Sequence, residues 1–219
     1  MSFYVVNPEI RDFLNSSHEP LDKFMKDFRV SAEHDSVPII LKETEELLSM
    51  LLRLKRPEKI LEIGTATGYS ATFFAKTCPD SEVYTIENDE FAYTEAIRNF
   101  KRAGVDDTVR ACFGDGREQI ENLRDQGIVG FDFIFIDAAK NSYKRFMESS
   151  MEICRRGAVI VSDNILIHGL TVLEELDPKK KHKTHRKKMK EYIEFITGNE
   201  KLATSMFSIG DGVAVSILK

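Results

Sequence analysis

The spacing of apolar positions changes near residue 57. Before it, Leu41, Thr44, Leu47, Leu48, Leu51 and Leu52 recur every three or four residues, the stripe of a helix with one buried face. The first 55 residues read as helical. Pro57 then punctuates, and short apolar runs begin to alternate with amphipathic stretches. Lys59–Ile63 (KILEI), Glu82–Ile86 (EVYTI), Val109–Phe113 (VRACF), Phe131–Ile136 (FDFIFI) and Ala158–Val161 (AVIV) predict strands. Tyr69–Lys76, Asp89–Ala103, residues 117–125 and Tyr143–Cys154 predict the helices between them. Such alternation implies a parallel sheet covered on both faces. Ala203–Ile209 and Gly212–Leu218 flank Gly210-Asp211-Gly212 and predict a closing hairpin with an Asp-Gly turn. The expected fold is α/β: a doubly wound, mostly parallel, seven-stranded sheet ending in an antiparallel hairpin. It forms one domain over 1–219, with a helical extension over 1–55 and the sheet-containing core over 56–219.

Composition narrows the class. A chain of 219 residues, 42% hydrophobic and 31% charged, can bury a full core and is not disordered. No run approaches the roughly 18 apolar residues of a membrane span, so no membrane association is expected. The first residues, MSFYVVNPEIRD, lack a basic stretch followed by an apolar one, so they do not read as a secretory signal. Cys78, Cys112 and Cys154 are odd in number and scattered, which fits a reducing, cytoplasmic setting without disulfides. Cys112 and Cys154 read as buried packing residues. The net charge of −5 hides an asymmetry. Residues 179–190 (KKKHKTHRKKMK) hold eight Lys/Arg and no acid, on an otherwise acidic chain. A strip of that kind is a solvated face or a contact for a polyanion.

Two constellations carry chemistry. In Leu61–Ser70 (LEIGTATGYS), Gly64 and Gly68 mark a strand-to-helix turn where backbone can approach a ligand closely. The turn lacks G-x-G-x-x-G, so a dinucleotide diphosphate is not its natural ligand. Glu87 follows the second strand, where open α/β sheets place an acid against ribose hydroxyls. Together they fit a nucleoside-containing cofactor. Asp115, in Gly114-Asp115-Gly116, could accept from an adenine amino group or cap the following helix. The second constellation is Asp137, at the end of FIFID, with Asp163 and Asn164 at the end of AVIVSDN. Adjacent strands bring two carboxylates and an amide to one sheet edge, a donor set for a hard cation such as Mg²⁺. Lys140, three residues beyond Asp137, reaches the same place and can serve as general base.

These motifs, in this order, resemble the cation-dependent, S-adenosyl-L-methionine-dependent O-methyltransferases, the group of the caffeoyl-CoA and catechol O-methyltransferases and their bacterial relatives. LEIGTATGYSA, Glu87, GDG, FIDAAKNSY, SDN and the terminal FSIGDGVAVS all take part, so the resemblance spans nearly the whole chain. It implies a Rossmann-like class I methyltransferase fold. It also implies Glu87 on the cofactor ribose and Asp115 near its adenine. The turn from Gly64 and Thr65 to Ser70 would cradle the methionine part, with Ile40 and Asp137 lining the site. Asp137, Asp163 and Asn164 match the metal ligands for Mg²⁺ or another divalent cation, Lys140 matches the base, and Tyr143 supports the loop. A homodimer is implied in the same way.

The acceptor must present two vicinal oxygens. Ala138 and Ala139 follow Asp137 where the animal catechol enzymes have His and Trp, and the chain has no Trp at all. HDSVPIILK and the basic strip after SDNILIHGL resemble the bacterial branch that methylates 5-hydroxyuridine at the wobble position of transfer RNA, giving 5-methoxyuridine. On that reading Lys179, Lys180, Lys181, Lys183, Arg186, Lys187 and Lys188 contact phosphates around a tRNA anticodon loop. The alternative is a small catechol or hydroxycinnamoyl-type acceptor, which leaves the strip as plain surface. His182 and His185, embedded among cations, read as solvent- or RNA-facing rather than metal-binding.

Overall fold

A computed structural model describes residues 7–219. Three helices come first: α1 (Pro8–Asn15), α2 (Lys23–His34) and α3 (Lys42–Lys55). Strands and helices then alternate as β1 (Lys59–Ile63), α4 (Tyr69–Thr77), β2 (Glu82–Glu87), α5 (Glu90–Ala103), β3 (Val109–Phe113), α6 (Gly116–Asp125), β4 (Phe131–Ile136), α7 (Tyr143–Ile153) and β5 (Cys154–Ser162). The chain closes with α8 (Lys183–Gly198), β6 (Leu202–Phe207) and β7 (Val213–Leu218). The seven strands lie in the order β3-β2-β1-β4-β5-β7-β6, parallel except where β7 runs antiparallel to β5 and β6. The expected architecture is the observed one.

Each sheet face has its own core. On one face Met25, Leu48 and Leu52 of the N-terminal helices pack with Phe73, Phe74, Phe100, Phe133 and Phe135. On the other, Leu61, Ile134, Tyr143, Met147, Met189 and Tyr192 pack together. Leu48 and Leu52 are fully buried, and each contributes about 1.5–3 kcal/mol by leaving water. The helical extension therefore shares the core of the sheet.

Two local expectations are corrected. The residues joining β6 to β7 are Ser208–Gly212, not a two-residue Asp-Gly turn, and Asp211 is buried there instead of sitting at an exposed tip. Gly210 and Gly212 both take positive φ (56° and 84°), which turns the intervening carboxylate inward. The basic strip, whose conformation the residue pattern left open, supplies the first half of α8. That helix is amphipathic: Arg186, Met189, Tyr192 and Ile196 are buried and the lysines between them face water.

Register positions the site. Ile86, Ile63, Ile136 and Ser162 are aligned across β2, β1, β4 and β5. The next residues, Glu87, Gly64, Asp137 and Asp163, therefore form one row along the carboxyl edge. The backbone fixes that row with ladder bonds from Gly64 N to Ile86 O, Asp137 N to Ile63 O and Asp163 N to Ile136 O, each 3.0 Å. Strand order reverses between β1 and β4, and open α/β sheets bind ligands at that switch point.

Candidate active site

A cleft of about 340 Å³ opens at the switch point, bordered by Ile40, Gly64, Thr65, Ser70, Glu87, Asp115 and Asp137. All seven residues expected to meet the cofactor line it. Gly64 has φ +102°, and a Cβ there would lie 2.0 Å from the Asp137 carbonyl oxygen. Only glycine fits, and the cradle is open because that side chain is missing. Gly68, at φ +87°, is less tightly enclosed: a Cβ there would meet Phe100 Cε1 at 2.6 Å.

The side chains play more parts than the sequence suggests. One Glu87 oxygen accepts from Ala66 N (2.8 Å), and the other accepts from Asn88 N (2.8 Å) and Asp89 N (2.9 Å). Glu87 thus staples the glycine turn to the end of β2 and keeps about one of its roughly four acceptor positions for a ligand hydroxyl. The Thr65 hydroxyl is turned away into the sheet, bonded to Thr85 Oγ1 at 2.5 Å, so only its backbone faces the cleft. Asp115 fills the capping role of the two expected for it. Its Oδ1 caps α6 through Arg117 N and Glu118 N, while Oδ2 meets Arg145 Nη2 at 3.0 Å across the rim.

Beneath the turn lies a carboxyl that motif reading passed over. Glu62 is fully buried; Thr85 donates to its Oε2, and its Oε1 makes no hydrogen bond within the protein. Burial pushes its acid up to about 8. An acid in the middle of an apolar strand, one turn ahead of a glycine pair, was the available signal.

The presumed metal ligands and base meet at one point. Lys140 Nζ donates to Asn164 Oδ1 and to Tyr143 OH, both at 2.7 Å, and lies 3.3 Å from Asp137 Oδ1. Tyr143 is buried, passes its own proton to Asp163 O at 2.9 Å, and stacks edge-on against Tyr192. Its phenol is pushed well above the ordinary range by burial, so it stays a neutral donor. Asp163 is pushed up to about 8, first by burial and then by the charge of Asp137. The Asp137 carboxylate and the Asn164 amide oxygen thus converge on Lys140, while the buried Asp163 carboxylate accepts from Asn164 N at 2.7 Å and feels the charges of both Asp137 and Lys140. A divalent cation fits this donor set. Among the described residues no three His, Cys, Asp or Glu side chains are grouped so that they could hold a metal ion.

The chain beyond Asn164 is strained. Asn164, Ile167 and His168 have φ of 54°, 48° and 52°, a left-handed conformation costing about 1–2 kcal/mol per non-glycine residue. The basic strip divides in two. Arg186 is buried, donating to Leu170 O at 2.7 Å and pairing with Glu174 at 2.6 Å, so it bolts this loop to α8 and is not free for a phosphate. Lys187 and Lys188 share Glu191, and Lys190 reaches Glu174. Lys179, Lys180, Lys181 and Lys183 are exposed and, among the described residues, make no ion pair. His182 and His185 lie exposed on the same turn. Cys112 and Cys154 are half-buried, with thiols pushed up by burial, Cys154 to about 12.

Sheet, cradle and acidic row define a nucleoside-cofactor enzyme of the doubly wound α/β class. The family model described as O-methyltransferase matches residues 15–218, so the chain belongs to that family and is an S-adenosylmethionine-dependent O-methyltransferase. It is 33% identical over 184 residues to a caffeoyl-CoA O-methyltransferase of Populus kitakamiensis, covering 82% of this chain and 77% of that one. It is 34% identical over 131 residues to a catechol O-methyltransferase of Niastella koreensis, 59% of each. A crystal structure from Staphylococcus aureus, described as a candidate caffeoyl-CoA O-methyltransferase, superposes with a TM-score of 0.90 at 32% identity. That match covers 96% of this chain and 100% of the other. No helix among the described residues is long and apolar enough to cross a membrane.

Proposed function

We propose that this chain uses Mg²⁺ or another divalent cation to move a methyl group from S-adenosylmethionine to one of two vicinal oxygens on a planar ring. The observation carrying this reading is the convergence of Lys140, Asp137, Asn164 and Tyr143 within hydrogen-bond reach, beside the Gly64 cradle. Asp137, Asp163 and Asn164 would hold the cation; when bound it lowers the acidity threshold of the hydroxyl to be methylated. The chain's own residues do the rest. Glu87 and the Gly64–Ser70 turn fix the cofactor, and the shared row of strand ends orients acceptor and donor. Lys140, once released by Asp137 and Asn164 and present as the neutral amine after its ammonium proton has gone to solvent, would take the acceptor proton at Nζ, steadied by the Tyr143 hydroxyl.

The names of the relatives favour a small catechol or hydroxycinnamoyl-type acceptor. A second reading, the 5-hydroxyl of 5-hydroxyuridine in a tRNA anticodon loop, is favoured by one feature. Helix α8 begins with no side-chain cap, no acid in its first turn and lysines that, among the described residues, make no ion pair, against its own dipole. An anionic partner would relieve that arrangement.

The test is mass spectrometry of methylated products with S-adenosylmethionine and Mg²⁺. Parallel reactions would contain caffeoyl-CoA, a simple catechol, or tRNA carrying 5-hydroxyuridine, each with an Asp137→Ala control. Methylation of a small acceptor alone supports the first reading, and 5-methoxyuridine alone supports the second. Turnover that survives chelation and Asp137→Ala overturns the cation-dependent reaction itself.

A further inference from the structure

Asp211 stands out because no part of the proposed reaction uses it, yet it is buried and close enough for its charge to act on Asp163. Its Oδ1 accepts from His168 N at 2.5 Å, its backbone oxygen accepts from Leu166 N at 3.0 Å, and Gly212 O accepts from Ile165 N at 3.0 Å. The hairpin tip therefore grips, one amide after another, the segment that continues directly from Asn164. That segment holds Asn164, Ile167 and His168 in left-handed backbone, which an isoleucine adopts only when its surroundings impose it. A Cβ on Gly212 would meet Leu166 Cγ at 2.4 Å, so tip and loop are fully in contact.

We infer that Asp211 is a positioning residue: by accepting from the His168 amide it holds the Ile165–His168 loop, and so fixes the direction in which Asn164 presents its amide oxygen to the cation and acceptor. It acts through the loop: its Oδ1 is bonded to the His168 amide and lies 3.6 Å from His168 Nδ1. The same contact would leave the cofactor cradle untouched, since no residue of the Asn164–His168 segment borders it. This role rests on the cation-dependent reaction proposed above.

The experiment compares wild-type chain with Asp211→Ala and Asp211→Asn. Mn²⁺ binding would be followed by electron paramagnetic resonance without acceptor, and S-adenosylmethionine binding by calorimetry. Asparagine keeps an oxygen that can accept from His168 N; alanine does not. The expected result is at least tenfold weaker Mn²⁺ binding in Asp211→Ala and recovery to within threefold of wild type in Asp211→Asn. Cofactor affinity should stay within twofold in both. Should the alanine variant fail to fold, Asp211→Ser, too short to reach the amide, replaces it with the same expectation. Equal loss in the alanine and asparagine variants would overturn positioning in favour of a charge effect. Unchanged Mn²⁺ binding in Asp211→Ala would overturn it outright while leaving the reaction standing. A wild-type chain that binds no Mn²⁺ would sink both.

Discussion

Gly64 and Asp137 touch through their backbones, so closely that a single added carbon on Gly64 would sit 2.0 Å from the Asp137 carbonyl oxygen. One residue belongs to the cofactor cradle and the other to the acidic row, so the two halves of the site cannot move independently. Gly64→Ala must either shift β4 or push the turn outward, from a φ of +102° that alanine tolerates poorly. A cost of about 1–3 kcal/mol in stability is expected, with cofactor affinity falling at least tenfold. Urea unfolding and calorimetry would measure the two. A variant that binds S-adenosylmethionine normally would show that the contact is not constraining.

Lys140 and Tyr143 should separate cleanly in kinetics. Lys140→Met removes the general base and should lower kcat by about 10²–10⁴, with S-adenosylmethionine affinity held. Tyr143→Phe keeps the packing against Tyr192 but removes the hydroxyl that steadies Lys140 Nζ and bonds to Asp163 O. A smaller loss in kcat is expected from it. Equal losses would mean that the phenol itself moves the proton.

The buried Glu62 makes stability depend on pH. Its acid is pushed from 4.5 to about 8 by burial, so the folded chain keeps a proton that the unfolded chain has released. The folded state binds more protons in that window, and stability therefore falls as pH rises from about 4.5 to 8, by up to about 1.4 kcal/mol per unit. Glu62→Gln is neutral throughout and should reduce this slope in urea melts taken at pH 5, 6, 7 and 8, leaving the part that Asp163 contributes in the same direction. An unchanged slope would assign it to other groups.

Behind the cleft, Arg29 of α2 meets Glu45 of α3 at 2.5 Å, donates to Tyr69 OH at 3.1 Å, and holds Ile40 O at 3.1 Å. Arg29→Met leaves Glu45 buried with only the Tyr69 hydroxyl (2.7 Å) and His18 Nε2 (3.0 Å) as partners and should cost up to about 3–5 kcal/mol. Arg29→Met with Glu45→Leu should recover much of that stability. It should not recover cofactor affinity, because Ile40 lines the cleft and its carbonyl has lost its anchor. Denaturation and calorimetry on the two variants check both halves of the expectation.

The fold was legible because parallel strands buried on both faces write themselves as apolar runs: KILEI and FDFIFI fall on β1 and β4 with the same limits, and VRACF matches the half-exposed edge strand β3. Adjacency of Asp137, Asp163 and Asn164 followed from strand ends alone. What the residues could not show was direction. Thr65 and Ser70 sit in one turn, but the Thr65 hydroxyl is drawn to Thr85 across the sheet. Arg186 lies in an unbroken basic run and is nevertheless buried, because the helical period of α8 turns it towards Leu170 O and Glu174. Asp211 looked like an ordinary turn acid; its partner, the His168 amide, is 43 positions earlier in the chain. Contacts of that range leave no local pattern.

The division of the basic strip makes the tRNA reading quantitative. Within the strip, Lys179, Lys180, Lys181 and Lys183 are exposed and have no acid partner among the described residues, whereas Arg186, Lys187, Lys188 and Lys190 are already engaged. If the first four meet phosphates of a single-stranded loop, each releases about 0.7 counterion. Replacing all four with alanine should then make the dependence of log affinity on log salt shallower by about 3. Substituting Lys187 and Lys188 should change it far less, because their charge is largely spent on Glu191. Turnover of a small catechol should be untouched by either set, since neither borders the cofactor cleft. Filter binding of an anticodon stem-loop across a salt series gives the slopes. A fourfold lysine variant with the wild-type slope would return this turn to the status of solvated surface and leave the small acceptor as the sole reading.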